Sequence, residues 1–129
     1  MSQIDRINQV SGEIIDAAIK VHSVLGPGLL ESAYQACLAY ELRKRGLHVD
    51  VERALPIVYE DVRLEVGYRL DLLVEDLVVV EIKAVQEFHP IHEAQLLSYL
   101  RLADKKVGLI LNFHERWMKD GIKRMVNGL

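Results

Sequence analysis

The sequence predicts an α/β fold: a central mixed β-sheet of four or five strands flanked by helices on both faces. Three observations carry that prediction. Apolar residues recur at helical spacing from Ile4 to Arg45. Between Val49 and Ala84 the texture changes to β-branched and alternating residues. A helix-sized stretch then separates two strongly apolar runs, Leu77–Ile82 and Val107–Phe113, an arrangement that lets two strands pair in parallel.

Taken in order, Ile4, Ile7, Val10, Ile14, Ile15, Ala18, Ile19 and Leu25 fall at spacings of three and four, which predicts an amphipathic first helix with one apolar stripe. Gly26-Pro27-Gly28 ends it as a rigid turn; without a following Lys-Ser/Thr it is no phosphate loop. Leu29–Arg45, rich in Leu, Ala, Glu and Lys, predicts a second helix stopped by Gly46, with Glu31 and Tyr34 one turn apart near its start. Leu55–Tyr59 and Val62–Glu65, around Glu60-Asp61, read as a hairpin with Pro56 at a strand start or edge. Tyr68–Val74 and Leu77–Ala84 follow as strands around Glu75-Asp76, the second nearly continuous in apolar residues, as a strand buried on both faces is. Pro90 opens a third helix to about Ala103, with Ile91, Ala94, Gln95, Leu97 and Leu102 as inward candidates. Val107–Phe113 is a further strand. Arg116–Val126 reads as a last helix, with Arg116, Lys119 and Lys123 on one side and Met118, Ile122, Met125 and Val126 on another.

At 129 residues, half of them hydrophobic and 27% charged, the chain is expected to form one domain, residues 1–129, around one core. No apolar run is long enough to span a bilayer, and the N-terminus lacks the basic, apolar, small-residue order of a signal peptide, so the expectation is a cytoplasmic protein with no membrane partner. Cys37, the single cysteine, excludes an intrachain disulfide and a thiolate metal cluster, and reads as a small buried hydrophobe. A formal charge of −3 excludes a protein that coats nucleic acid through charge alone. The charge is uneven, however: Lys105, Lys106, Arg116, Lys119, Lys123 and Arg124 face only Glu115 and Asp120 in the last 25 residues, a basic end on an acidic body.

The informative anomaly lies in the most apolar strand, where Glu81 and Lys83 stand two residues apart and therefore on one face of the sheet. Buried charges need partners or a metal. Asp71 on the preceding strand supplies a second carboxylate if the register sets it across from Glu81. A two-residue loop would pair it with Val80, so a three-residue loop or a bulge is expected. Asp71, Glu81 and the backbone carbonyl of Ile82 are hard oxygen donors of the kind that hold Mg2+ or Mn2+, with Glu31 as a further candidate ligand. Lys83 beside the ion would stabilise charge on a phosphate or orient the attacking water. An acid-x-Lys pattern alone is weak, since about one match is expected by chance in this composition and Asp104-x-Lys106 is such a match. A structural Glu81–Lys83 ion pair is the competing reading.

Others carry competing readings too. Glu31 in the first turn of a helix has a dipole reason to be there. Arg69, two before Asp71, would neutralise the carboxylates or simply form an ion pair. Tyr34 and Tyr99 would orient site residues or merely pack with satisfied hydroxyls. His89 and His92 lack a third soft ligand for zinc, which leaves His92 as a polar neighbour of the site.

Four stretches then stand in order: Gly28-Leu29-Leu30-Glu31-Ser32-Ala33-Tyr34, Gly67–Glu75, Val80–Val85 and His92–Leu100. Together they resemble the GxxExxY proteins, a family assigned to the PD-(D/E)XK nuclease-like superfamily, over about Ile7 to Val126. The resemblance implies a restriction-endonuclease-like core, with Asp71, Glu81 and Lys83 as the superfamily triad, Glu31 as an acid from the first core helix, and Gln95 with Tyr99 from the following helix. Leu70 stands where the superfamily's name has proline. The expected activity is metal-dependent hydrolysis of phosphodiester bonds, with DNA favoured over RNA and a homodimer as the assembly that would cut both strands of a duplex. The alternative is a catalytically silent nuclease-fold module that binds nucleic acid or a protein partner.

Overall fold

The computed structural model describes all residues, 1–129. Its elements run α1 (Gln3–Leu25), α2 (Glu31–Lys44), β1 (Val49–Ala54), β2 (Ile57–Tyr59), β3 (Val62–Leu64), β4 (Arg69–Val74), β5 (Val78–Lys83), α3 (Pro90–Ala103), β6 (Val107–Asn112), a single 3-10 turn (Met118–Gly121) and β7 (Ile122–Val126). Five strands form the main sheet in the order β1-β4-β5-β6-β7, and β2 with β3 makes a separate hairpin. β5 and β6 pair in parallel, joined by the α3 crossover, and every other pairing is antiparallel.

The sheet alternation sorts side chains to two cores. Leu72, Val74, Val78, Val80, Ile82, Val107, Leu109 and Leu111 pack beneath α1 and α2, together with Ile7, Val10, Ile14, Leu38 and Leu42. Leu73, Val79 and Ile110 face the other way, onto Leu96, Tyr99 and Leu100 of α3. Helices therefore cover both faces, and the central strands β5 and β6 are buried almost throughout. Ser2 opens α1 with a capping box: its hydroxyl accepts from Asp5 N–H while the Asp5 carboxylate accepts from Ser2 N–H, an arrangement that contributes about 1 kcal/mol. No helix is long and apolar enough to cross a membrane.

Two expectations fail. Arg116–Val126 is not a helix: after the 3-10 turn, Ile122–Val126 adds to the open edge of β6. Ile122 packs into the core under α1 and α2, and Met125, three residues on, into the core under α3. Residues three apart share a helix face but lie on opposite strand faces, so burial on both sides of the sheet selects the strand over the local helical pattern. The inward face of α3 is also different: Ile91, Ala94 and Leu102 are exposed and Gln95 and Leu97 half-buried, whereas Leu96, Tyr99 and Leu100 are buried. Gly108 permits that close approach, since a Cβ there would lie 2.9 Å from Leu96 Cδ1 and 3.2 Å from Leu100 Cδ2.

Register is set by the β4–β5 turn. Glu75 and Asp76 both take left-handed φ angles, +53° and +55°, and Leu77 N–H donates to Val74 O at 3.0 Å. Leu77 is the extra residue that delays pairing until Val74↔Val78. Leu73↔Val79 and Leu72↔Val80 follow, and the next step along each strand brings Asp71 opposite Glu81. The unfavourable backbone at Glu75 is held by its own side chain, which pairs with Arg6 and accepts from His48 N–H at 2.7 Å. The His48 N–H bond, with Arg6 beside it, keeps the Glu75 carboxyl below its ordinary range.

Candidate active site

The backbone ladder between β4 and β5 stops at Leu72↔Val80, and beyond it side chains take over. The Asp71 N–H donates to Glu81 Oε2 at 2.9 Å, and the Ile82 N–H donates to Asp71 Oδ2 at 2.8 Å. On the other side of β4, Glu52 of β1, which the register sets opposite Asp71, has a φ of +51° between the pairs Val51↔Leu72 and Arg53↔Leu70. Alternation breaks here as well. Leu70 joins Leu73 in the core beneath α3 although the two are three apart. Asp71 therefore sits at a local opening of the sheet, where a bulge-like distortion frees it from regular pairing.

Glu81 is 5% exposed, and Asp71 is half-buried. Burial pushes the Glu81 carboxyl up to about 8, and the neighbouring Asp71 charge adds to the effect, while Asp71 N–H and Lys83 oppose it. Asp71 is raised too, again chiefly by burial and further by Glu31, against the Ile82 N–H and Lys83. The two titrations are linked, since a charge on either carboxyl raises the other's affinity for its proton, and it is the more deeply buried Glu81 that is raised to about 8. Lys83, half-buried on the same strand face as Glu81, is the cation that both carboxyls sense.

Of the remaining sequence-predicted residues, Glu31 and Tyr99 stand close to this pair. Glu31, at the start of α2, accepts from Ala84 N–H at 3.1 Å and stands near enough to bear on Asp71 and His92. Tyr99 projects from α3 and is 7% exposed; burial raises its phenol, as do the Glu81 and Asp71 charges, with Gln95 one turn earlier acting in opposition. His92, first in sequence on this face, is held below its ordinary range by burial and by Lys83 and His89, and its Nδ1 is buried without a partner.

Two supporting residues lie apart from the carboxylates. Tyr34 is fully buried, stacks on Phe113 at 4.5 Å, donates to Gly26 O at 2.6 Å and accepts from Leu29 N–H at 3.1 Å. Its contact is with the Gly26-Pro27-Gly28 turn that delivers Glu31, not with the carboxylates. Arg69 is exposed and reaches only Glu52, at 3.9 Å. Ile82 directs its side chain to the core beneath α1 and α2. No group of three or more His, Cys, Asp or Glu side chains is gathered to hold a metal ion, so Glu31 stands as a neighbour of the Asp71–Glu81 pair rather than a third member of one cluster.

The sequence reading missed Asn112. It is fully buried, pairs in register with Lys83, accepts from Val85 N–H at 3.1 Å and His114 N–H at 3.2 Å, and donates to Val85 O at 2.9 Å. It thereby clamps the chain that leaves β5 after Lys83. A polar residue inside the apolar run Val107–Phe113 was the signal for it.

No curated protein and no solved structure matches the chain. The family model of the PD-(D/E)XK nuclease superfamily does, across residues 8–125, a span that takes in every residue of the site. Carboxylates on two adjoining strands, a lysine two residues after the second and helices on both faces of a mixed sheet thus sit within that match, and the chain belongs to the PD-(D/E)XK nuclease superfamily.

Proposed function

We propose that this protein is a cytoplasmic nuclease dependent on Mg2+ or Mn2+ that hydrolyses phosphodiester bonds, in DNA in preference to RNA, through Asp71, Glu81 and Lys83. Nucleases of this superfamily generally use divalent metal ions, and membership implies contact with nucleic acid. One observation carries the reading to these residues: the buried Glu81 and half-buried Asp71 carboxylates face one another where the strand ladder opens, with a lysine on the same strand face as Glu81.

The donor set suits a hard divalent ion. Each carboxylate gives one oxygen to a backbone N–H, and no N–H reaches Asp71 Oδ1 or Glu81 Oε1. A pair that retains a proton to about pH 8 is a site short of positive charge, which a cation would supply instead. Asp71, Glu81 and the Ile82 carbonyl would hold the ion, with Glu31 nearby. A bound ion supplies polarisation of a phosphoryl oxygen and lowers the pKa of water. Lys83 would stabilise charge developing on the phosphate, and Tyr99, buried on α3 near enough to sense both carboxylates, would orient what enters together with Gln95 one turn earlier. In this reading the protein is a GxxExxY-type member, and a homodimer would present two such sites to a duplex.

The decisive experiment is a calorimetric titration of Mn2+ into wild type and Asp71→Ala, followed by cleavage assays of both on mixed DNA and RNA. Binding and cleavage that vanish together in the variant support the proposal; cleavage that survives in Asp71→Ala removes it. A second reading has its own observation, because the same side-chain bonds also staple β4 to β5 where the ladder is broken. A silent module that uses the carboxylates only as staples would show no thermal shift with Mn2+.

A further inference from the structure

The end of the sheet that carries Lys83 also carries a cleft, on the α1 side. It has a volume of about 740 Å³ and lies between the last turn of α1, the Gly26-Pro27 turn and the segment Arg116–Lys119 that follows β6. Trp117 is 57% exposed at its rim, with the Arg116 guanidinium 5.2 Å from the indole centroid. His22, buried, fixes the wall by donating from Nε2–H to Glu115 O at 2.7 Å.

The basic end of the chain divides here. Lys105 is paired with Asp76, Lys123 with Glu93, and Arg124 bonds Asn8, whereas Arg116 and Lys119 at the cleft, and Lys106 away from it, make no ion pair. Arg116 covers one face of the exposed indole and leaves the other for a base, and with Lys119, neither of them held by a carboxylate, it offers positive charge to the adjoining phosphates. Proximity to the carboxylate site follows from the chain. Phe113 N–H donates to Lys83 O at 2.9 Å, and Asn112 is the register partner of Lys83. Four residues of chain reach about 14 Å and neighbouring strands lie about 5 Å apart, so Arg116 is within about 20 Å of Lys83, the span of a few nucleotides.

We infer that this cleft is a single-strand-binding subsite, in which Trp117 stacks on an unpaired base and Arg116 with Lys119 contacts its phosphates, so that the substrate enters the site as unpaired strand. Base pairs bury the faces that an indole needs, and a chain of net charge −3 has little general attraction for duplex phosphates. The inference rests on the nuclease reading for its catalytic consequence and on the cleft alone for binding.

Trp117 is the only tryptophan, so its fluorescence reports the cleft directly. Twelve-residue oligothymidylate titrated into the wild-type protein in EDTA, where no divalent ion permits cleavage, is expected to quench it, and a blunt duplex of the same length is expected to quench far less. With labelled oligothymidylate followed by anisotropy, Arg116→Ala/Lys119→Ala and Trp117→Ala are each expected to weaken binding about tenfold or more, and the double variant to flatten the salt dependence by about 1.4 in log–log slope. Binding without quenching, or equal quenching by duplex, overturns the subsite, as does quenching that instead tracks self-association of the protein in sedimentation. If quenching and the variant effects hold but no substrate is cleaved with Mn2+, the subsite stands and the nuclease reading falls. Cleavage that needs Asp71 without any quenching is the reverse.

Discussion

Asp71 and Glu81 are opposite one another on neighbouring strands, yet they meet through side chains: Asp71 N–H binds the Glu81 carboxylate at 2.9 Å, and Ile82 N–H binds the Asp71 carboxylate at 2.8 Å. Each carboxylate thus satisfies a backbone donor that the broken ladder leaves without a carbonyl, which fixes both side chains before any ligand arrives. The cost is that two acids share one half-dry space.

That cost sets a pH dependence. Glu81 holds its proton to about pH 8 in the folded chain against 4.5 as its ordinary value, so its contribution to stability is complete below about pH 4.5 and is lost as pH rises through about 8. The metal-free protein is therefore expected to lose stability across that window, by an amount on the order of a few kcal/mol. Glu81→Gln keeps the acceptor for Asp71 N–H and adds donors toward Asp71, so at pH 9 it should melt several degrees above wild type. In wild type at pH 8, millimolar Mn2+ should raise Tm, and chelation should reverse it. A flat Tm between pH 5 and 9 without metal would contradict the buried-pair account.

Lys83 opposes the rise in both carboxyls. Lys83→Met should therefore let the pair hold its proton to still higher pH, moving the pH midpoint of Mn2+ binding upward. Cleavage should fall roughly 100- to 1000-fold, the usual effect of removing a charge aimed at a transition state. Calorimetry across pH and single-turnover cleavage measure the two effects separately.

The pairing of Asp71 with Glu81 was legible because strand arithmetic is rigid: one extra residue at Leu77 shifts the whole register by one, and the charges marked which register was needed. The parallel β5–β6 pair was legible from the length of the α3 crossover. The last strand was not, because Met118, Ile122, Met125 and Val126 satisfy helical spacing locally, and only the unpaired side of β6 and burial on both sheet faces decide against it. The inward face of α3 failed for a related reason. In that helix apolar residues interleave on all sides with His92, Glu93, Gln95, Ser98 and Arg101, so the sequence offers no clean stripe, and it is Gly108 beneath Leu96 and Leu100 that selects one. Glu52 left no signal, since nothing in its residue type announces a left-handed backbone.

Asn112 should behave as a positioning residue. Asn112→Ala leaves Val85 N–H, Val85 O and His114 N–H without their partner and is expected to cost about 2–4 kcal/mol. Urea unfolding reads that loss directly. Because the clamped chain begins just after Lys83, cleavage per folded molecule should also drop, with metal affinity retained.

Two glycines on β6 and its neighbour separate a tolerant site from an intolerant one. A Cβ at Gly108 would meet the ends of the Leu96 and Leu100 side chains at 2.9–3.2 Å, groups that turn aside by changing rotamer. A Cβ at Gly121 would lie 2.2 Å from the Asn112 carbonyl oxygen, and a backbone oxygen within a strand does not turn aside. Gly108→Ala should therefore cost about 1–3 kcal/mol, whereas Gly121→Ala must push the 3-10 turn away from β6 and should cost more than that, with onset of unfolding at markedly lower urea. Because Asn112 is the register partner of Lys83, the same displacement reaches the site: in Gly121→Ala the molecules that remain folded should cleave more slowly than wild type, while in Gly108→Ala the folded fraction should cleave normally.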